Sequence, residues 1–310
     1  MITVGIDIAK LHFDLHLLPE GTCARYDNNA QGIQECRLFL AQAKPERILL
    51  EATGGYETAL VVELQAAAMP VIVINPRRVR DYARAANQLA KTDRIDARIL
   101  AEFAATSLVV VRELPDAKAR QRKALVARRD QLVALHVAES NRLEHADEAF
   151  IRKSVRAIRT AIEKQIAQVD RHLDRLIAAD PTLQRKAEIL DSAPGIAATT
   201  ARMLVTELPE LGNVNRHQIA ALVGIAPMNR DSGQFRGKRM TGRGRVKIRT
   251  ALYMPLLAAL RCNAKIRTFY NRLVQSGKPK MTALVAAMRK LLTILNTLIK
   301  NNQTWNPNLS

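Results

Sequence analysis

Cysteine is scarce in this chain of 310 residues: Cys23, Cys36 and Cys262 form no Cys-x-x-Cys pair. That excludes a disulfide framework and a zinc ribbon, and it fits a reducing compartment. One tryptophan, five tyrosines and six phenylalanines argue against a dense platform for stacking bases. No apolar run reaches the ~20 residues that span a bilayer; the longest, Leu284 to Ile299, is broken by Arg289-Lys290. The opening Met1-Ile-Thr-Val-Gly-Ile-Asp7 carries an acid and no basic stretch, unlike a secretory signal. A cytoplasmic protein with no membrane partner is expected.

Acid is missing most unevenly. Residues 1–100 hold 12 basic and 12 acidic residues, whereas residues 216–310 hold 18 basic residues against Asp231 alone. Most of the net charge of +19 therefore sits at the C-terminal end. Counterion release from a phosphate backbone is the natural use of such a surface, and binding there should be salt-dependent.

Alternation predicts two strands within residues 2–18. Ile2, Val4, Ile6 and Ile8 come first, then Leu11, Phe13, Leu15 and Leu17, with His12, Asp14 and His16 opposite. Further strands are expected at 22–27, 47–51 and 71–74, and helices at 30–43, 56–68, 77–86 and 93–105. Three antiparallel strands followed by β-α-β-α make a mixed α/β layer fold. Residues 116–179 contain no proline. Ile151, Val155, Ile158, Ile162, Ile166, Val169, Leu173 and Ile177 follow an eleven-residue repeat, the period of a long straight helix with one apolar stripe. Two such helices form either an antiparallel hairpin or an intermolecular coiled coil. The remainder reads as helices at 216–224, 247–261, 265–275 and 281–300, with 228–246 a Gly- and Arg-rich loop.

Four acids stand where chemistry is expected. Asp7 interrupts the apolar strand Val4-Gly-Ile-Asp-Ile, and Glu51 ends the strand Ile48-Leu-Leu-Glu. Asp93 and Asp96 lie three apart at a helix start, an arrangement that also serves as an ordinary N-cap with a first-turn acid. Hard oxygen donors on strand ends beside a helix are what Mg²⁺ needs, with Mn²⁺ the alternative ion. His12 and His16 lack a third ligand for a metal reading.

Gly5-Ile-Asp7-Ile-Ala-Lys10, Leu50-Glu51-Ala-Thr-Gly-Gly-Tyr56 and Lys91-Thr-Asp93-Arg-Ile-Asp96-Ala resemble the DEDD-type insertion-sequence transposases, the family numbered one hundred and ten. The resemblance covers nearly the whole chain. An actin-like ATPase also opens on Gly-Ile-Asp, but Ile8-Ala9-Lys10 lacks the phosphate-gripping residues. The resemblance implies a RuvC-like ribonuclease-H fold over 1–113, a coiled-coil assembly arm over 114–182 and a basic helical domain over 183–310. It implies Asp7, Glu51, Asp93 and Asp96 as catalytic metal ligands and Ser232, in Arg230-Asp-Ser-Gly, as a nucleophile forming a covalent phosphoserine. It also implies double-stranded donor and target DNA, a noncoding bridge RNA, and dimers joining into a tetramer, with acids and serine drawn from different subunits.

Ala193-Pro194-Gly195-Ile196-Ala197 resembles a helix-hairpin-helix, in which turn and helix N–H groups meet a DNA phosphate. Ala197 replaces the motif's usual second glycine. Arg236, Lys238, Arg243, Arg245 and Lys247 are the further DNA contacts expected. Two other readings stay open: a metal-dependent Holliday-junction-type endonuclease without a covalent intermediate, and a non-catalytic DNA-bridging protein.

Overall fold

A computed structural model describes residues 1–88, 93–106, 109, 116–229, 231–233, 235–237 and 239–307, without the side chains of residues 93 and 94. The chain divides into two compact units, Met1–Pro115 and Asp116–Ser310.

In the first unit β1 (Thr3–Ile8), β2 (His12–Leu18), β3 (Thr22–Asp27), β4 (Arg47–Glu51) and β5 (Val71–Ile74) form one sheet in the order β3-β2-β1-β4-β5. β1 runs antiparallel to β2 and parallel to β4. The period-two pattern sorts side chains to opposite faces. Val4, Ile6 and Ile8 join Phe13, Leu15, Leu17, Ile48 and Leu50 in one buried layer under α1 (Ala30–Ala43) and α2 (Thr58–Ala66). Cys36 sits in this layer, and burial pushes its thiol up to about 12, so it is a packing residue, not a reactive thiolate. On the other face Leu49, Ile72 and Ile74 pack under α3 (Pro76–Ala85) and α4 (Asp93–Ala104). Asn29 and Asn75 start α1 and α3 by accepting from Gly32 and Arg77 N–H groups, as good N-caps do.

Helix α4 comes close to the sheet at Gly5. A Cβ placed there would lie 2.1 Å from the Ala97 carbonyl oxygen and 2.3 Å from the Ala101 nitrogen. Backbone therefore meets backbone, and the Thr3 hydroxyl fixes the register by donating to the Ala101 carbonyl at 3.0 Å. Gly5→Ala should cost about 1–3 kcal/mol by forcing α4 off the sheet. Urea unfolding checks this, and an unchanged midpoint would refute the close approach.

The second unit opens with α5 (Ala117–Glu144) and α6 (Ala149–Ala178). Arg129 pairs with Asp170 and His136 with Glu163, so the two helices run antiparallel within one chain. At the root of this hairpin Val126, Leu173 and Ile177 join the core of the unit. Toward the tip Phe150, Ile151 and Ile158 are exposed, so the apolar stripe is only partly covered.

The core continues through α7 (Pro181–Asp191), α8 (Ala198–Glu207), α9 (Arg216–Val223), α10 (Val246–Ala251), α11 (Tyr253–Cys262), α12 (Ala264–Gln275) and α13 (Lys280–Lys300). The single helix expected at 247–261 is two helices meeting at Leu252. Pro255 has no N–H to return to Ala251, which ends the first helix there. α13 is long and apolar enough to cross a membrane by composition. Its Ala287, Leu291, Leu292 and Leu295 are instead fully buried in the core of this unit. The stretch expected as loop contains a short hairpin, β6 (Asp231–Ser232) with β7 (Phe235–Arg236), turning at Gly233 with φ of 55°.

Candidate active site and nucleic-acid interface

The Gly5 contact sets where the acids fall. α4 runs against β1, with Thr3 beside Ala101 and Gly5 beside Ala97. Asp7 lies two residues, roughly 6.6 Å, further along the same face of β1. Four helical residues cover about 6 Å, so Asp7 is level with the first turn of α4, which holds Asp93 and Asp96. Glu51 follows Leu50, the register partner of Ile6, and thus flanks Asp7 on the neighbouring parallel strand. Topology brings Asp7, Glu51 and the start of α4 to one sheet edge. Among the described residues no group of three or more acids, histidines or cysteines is tight enough to hold a metal ion; the Asp93 side chain lies outside them.

A fifth carboxylate, missed in the sequence, extends the row. Asp14 is the direct cross-strand partner of Asp7. Like charges opposed in this way are destabilising. Arg25 on β3 offsets the charge by gripping Asp14 with hydrogen bonds of 3.0 and 2.7 Å. One register position further, His16 is buried. Burial lowers its pKa, Arg98 lowers it further, and Glu102 opposes, so the ring is neutral near pH 7.

The loop after Glu51 is held from within. The Glu57 carboxylate accepts from the Thr53 hydroxyl at 2.8 Å and from the Thr53 and Gly55 N–H groups at 3.2 and 2.9 Å. Burial alone would raise its pKa, but these hydrogen bonds more than reverse it, and the net shift is downward. A depressed carboxylate stabilises the fold above its unfolded pKa, and that contribution fades as pH falls through the lower folded value. Protection factors of the Thr53 and Gly55 amides, taken relative to the unstructured exchange rate at each pH, should therefore fall on acidification below the ordinary carboxylate range. Glu57→Gln should show the reduced protection already at neutral pH, and equal protection in both proteins would contradict this anchoring.

Ser232 lies on the exposed β6–β7 hairpin, directly opposite Phe235. Directly opposed residues share a face, so an aromatic ring that is 68% exposed stands beside the hydroxyl. The sequence put Phe235 in a loop and gave no sign of this. The hairpin also carries Arg236, exposed and opposite Asp231. Arg243 is exposed as well, at a left-handed φ of 58°. Lys238 lies outside the described residues.

Arg245 and Lys247 are engaged internally. Arg245 donates to the Glu207 carbonyl and to the Glu210 carboxylate at 2.9 and 2.7 Å. Burial would raise the Glu210 pKa, but Arg245 and the nearby Lys123 bring it below its ordinary value. Lys247 bridges Asp130 on α5 and Glu207 on α8 at 2.9 and 2.7 Å, and these partners raise its pKa against the effect of burial.

Pro194, Gly195 and Ile196 form the turn between α7 and α8. Ile196 is buried in the core. Gly195 has φ of 98°, and a Cβ there would come within 2.7 Å of the backbone at Ala259 on α11. The glycine is thus required by packing, whatever else the turn does.

Acids gathered on a mixed α/β unit and a strongly cationic helical unit are compatible with the class of enzymes that act on nucleic-acid strands. Residues 4–150 match the DEDD-type IS110 transposases, and residues 187–271 match the transposase IS116/IS110/IS902 family. The chain belongs to the IS110 family of insertion-sequence transposases and is a DNA transposase or recombinase. It is 27% identical to the pilin gene-inverting protein of Moraxella bovis over 97% of both chains. It is 23% identical to the transposase for insertion sequence element IS1111A of Coxiella burnetii, over 97% of this chain and 90% of that one. The DEDD type of the first domain implies dependence on a divalent metal.

Proposed function

We propose that this transposase cuts and rejoins DNA through a covalent serine intermediate, with a ribonuclease-H-like, RuvC-like acid site carrying the metal. The observation that carries the reading is the convergence of Asp7, Glu51 and the first turn of α4 at one sheet edge, enforced by Gly5. Sheet order β3-β2-β1-β4-β5 with β2 antiparallel supports the fold part. The donor set fits a hard cation, since carboxylate oxygens are what Mg²⁺ or Mn²⁺ takes. Asp7, Glu51, Asp93 and Asp96 would hold it, and when bound it would polarise the phosphoryl group and offset charge in the transition state.

The chain's own residues do the rest. The Ser232 oxygen forms a bond to phosphorus as the bond to one deoxyribose oxygen breaks. The serine proton goes to solvent, and the departing sugar oxygen takes a proton to leave as a hydroxyl. The phosphoserine keeps the energy of the bond for rejoining to another strand's hydroxyl, which restores the serine. Arg236 and Arg243 supply nearby positive charge for the phosphate, and the turn at Pro194, Gly195 and Ile196, whose own Ile196 N–H is given to the Ala193 carbonyl, would present the Gly195 N–H and the opening N–H groups of α8 to the DNA backbone.

Ser232→Ala should remove denaturant-resistant protein–DNA adducts and leave DNA binding intact, while Asp7→Asn should remove cleavage altogether. If Ser232→Ala still cleaves without an adduct, the enzyme is instead a metal-dependent endonuclease. The exposed Phe150, Ile151 and Ile158 at the tip of the α5–α6 hairpin support an assembly arm that makes dimers and tetramers, acting in the cytoplasm. A bridge RNA as guide rests on the resemblance and the cationic second unit. Ribonuclease treatment should then abolish site-specific recombination, and light scattering should find no monomer on DNA. Recombination that persists, or a monomer, would remove the corresponding part of the proposal.

A further inference from the structure

The second unit contains an open cleft of about 880 Å³ that the strand-cutting chemistry does not use. One wall is a single face of α13: Thr282, Val285, Ala286, Arg289, Lys290 and Thr293 all line it, at the three- and four-residue spacing of a helix stripe. The opposite stripe of α13 is the core-facing one. Arg289-Lys290, which breaks the long apolar run, therefore faces the cleft.

The cleft has two chemistries. Its interior is apolar, with Phe269, Val285, Met240 and Met281; the two methionines are 57% and 61% exposed. Arg239, Lys278, Arg289 and Lys290 are cationic and also line it. None of these four forms an ion pair among the described residues, and Asp231 is the only acid between residues 216 and 310. Near the root of the helical hairpin the chain neutralises cations, as Arg245 and Lys247 show. Around this apolar trough no such pairing is present among the described residues, and the four charges are left for a ligand.

A ligand matching this must be anionic along its edge and flat and apolar inside. Duplex DNA offers the first and hides the second. Unpaired DNA offers both, and strand exchange by a recombinase necessarily leaves some strand unpaired. We propose that the cleft binds a single-stranded DNA segment, its bases lying on the methionine and phenylalanine side chains and its phosphates on the arginine and lysine groups. The volume lies toward the upper end of ligand-sized clefts, room for a short segment only. Flexible methionines adapt to any base, so binding tolerates sequence changes. The proposal rests on the enzyme being a DNA recombinase and is independent of Ser232.

The test titrates full-length protein against a labelled single-stranded DNA oligonucleotide, the same sequence as duplex, and the same sequence as RNA. Met240→Ser with Met281→Ser should weaken single-stranded DNA about five-fold or more while duplex binding holds within about two-fold. Arg289→Ala with Lys290→Ala should flatten the dependence of log affinity on log salt for the single strand by about 0.7 per lost contact. Thermal melts establish that both variants are folded, and all four positions are at least partly exposed. Equal losses on single strand and duplex, no loss in either variant, or RNA binding that the substitutions weaken while single-stranded DNA is unaffected would each overturn the proposal. Wild-type protein that binds no nucleic acid in any arm would instead overturn the recombinase reading beneath it.

Discussion

The absent side chain of Gly5 is the constraint on which the placement of the first unit's acids depends. Helix α4 can lie backbone to backbone on β1 only because nothing projects from that position. Thr3 then fixes the slide of the helix by bonding to Ala101. With slide and distance both set, the first turn of α4 has one place to be, beside Asp7. Any larger residue would leave the fold recognisable and move that turn by more than a metal site tolerates, since a coordination shell demands placement to within tenths of an ångström.

Concentrating carboxylates has an electrostatic cost, and the sheet meets it locally. The strands β4, β1, β2 and β3 carry Glu51, Asp7, Asp14 and Arg25 as a lateral row. Arg25 takes up the charge of Asp14, so Asp7 faces an already compensated partner. On the far side, Glu57 draws three donors onto its carboxylate and shapes the loop that follows Glu51. Both devices set a charge-assisted structural contact directly beside one of the candidate acids.

Much of this was legible in the sequence. Alternation around Ile6 and Leu15 located β1 and β2, and short apolar runs located β4 and β5, because a half-buried sheet imposes a period of two. Three features were not. Asp14 opposite Asp7 depends on the register, which the turn at Ala9 to Leu11 sets and which a slip of one residue would invert. The split at Leu252 came from Pro255 acting one turn back, inside a stretch whose apolar spacing read as continuous helix. The fates of Arg245 and Lys247 were hidden for a different reason. Their partners Glu207, Glu210 and Asp130 are 35 to 40 residues away for the first two and further still for Asp130, and composition counts a cation the same whether it is neutralised or displayed.

That last point changes what the C-terminal charge means. A surplus of basic residues fixes the sign of the partner but not the surface that meets it. In the second unit, the cations near the root of the helical hairpin tie α5 and α8 to the start of α10 through Lys247 and Arg245. Those on the β6–β7 hairpin and along the exposed stripe of α13 have no such duty. Acidic residues are therefore the informative ones here: where the fold brings Glu207, Glu210 and Asp130 together, a basic residue is structural, and where none is within reach, its charge is available to a phosphate. Because surface pairs contribute little to stability, keeping the α13 cations unpaired costs the fold little, and it leaves their full long-range attraction for a polyanion.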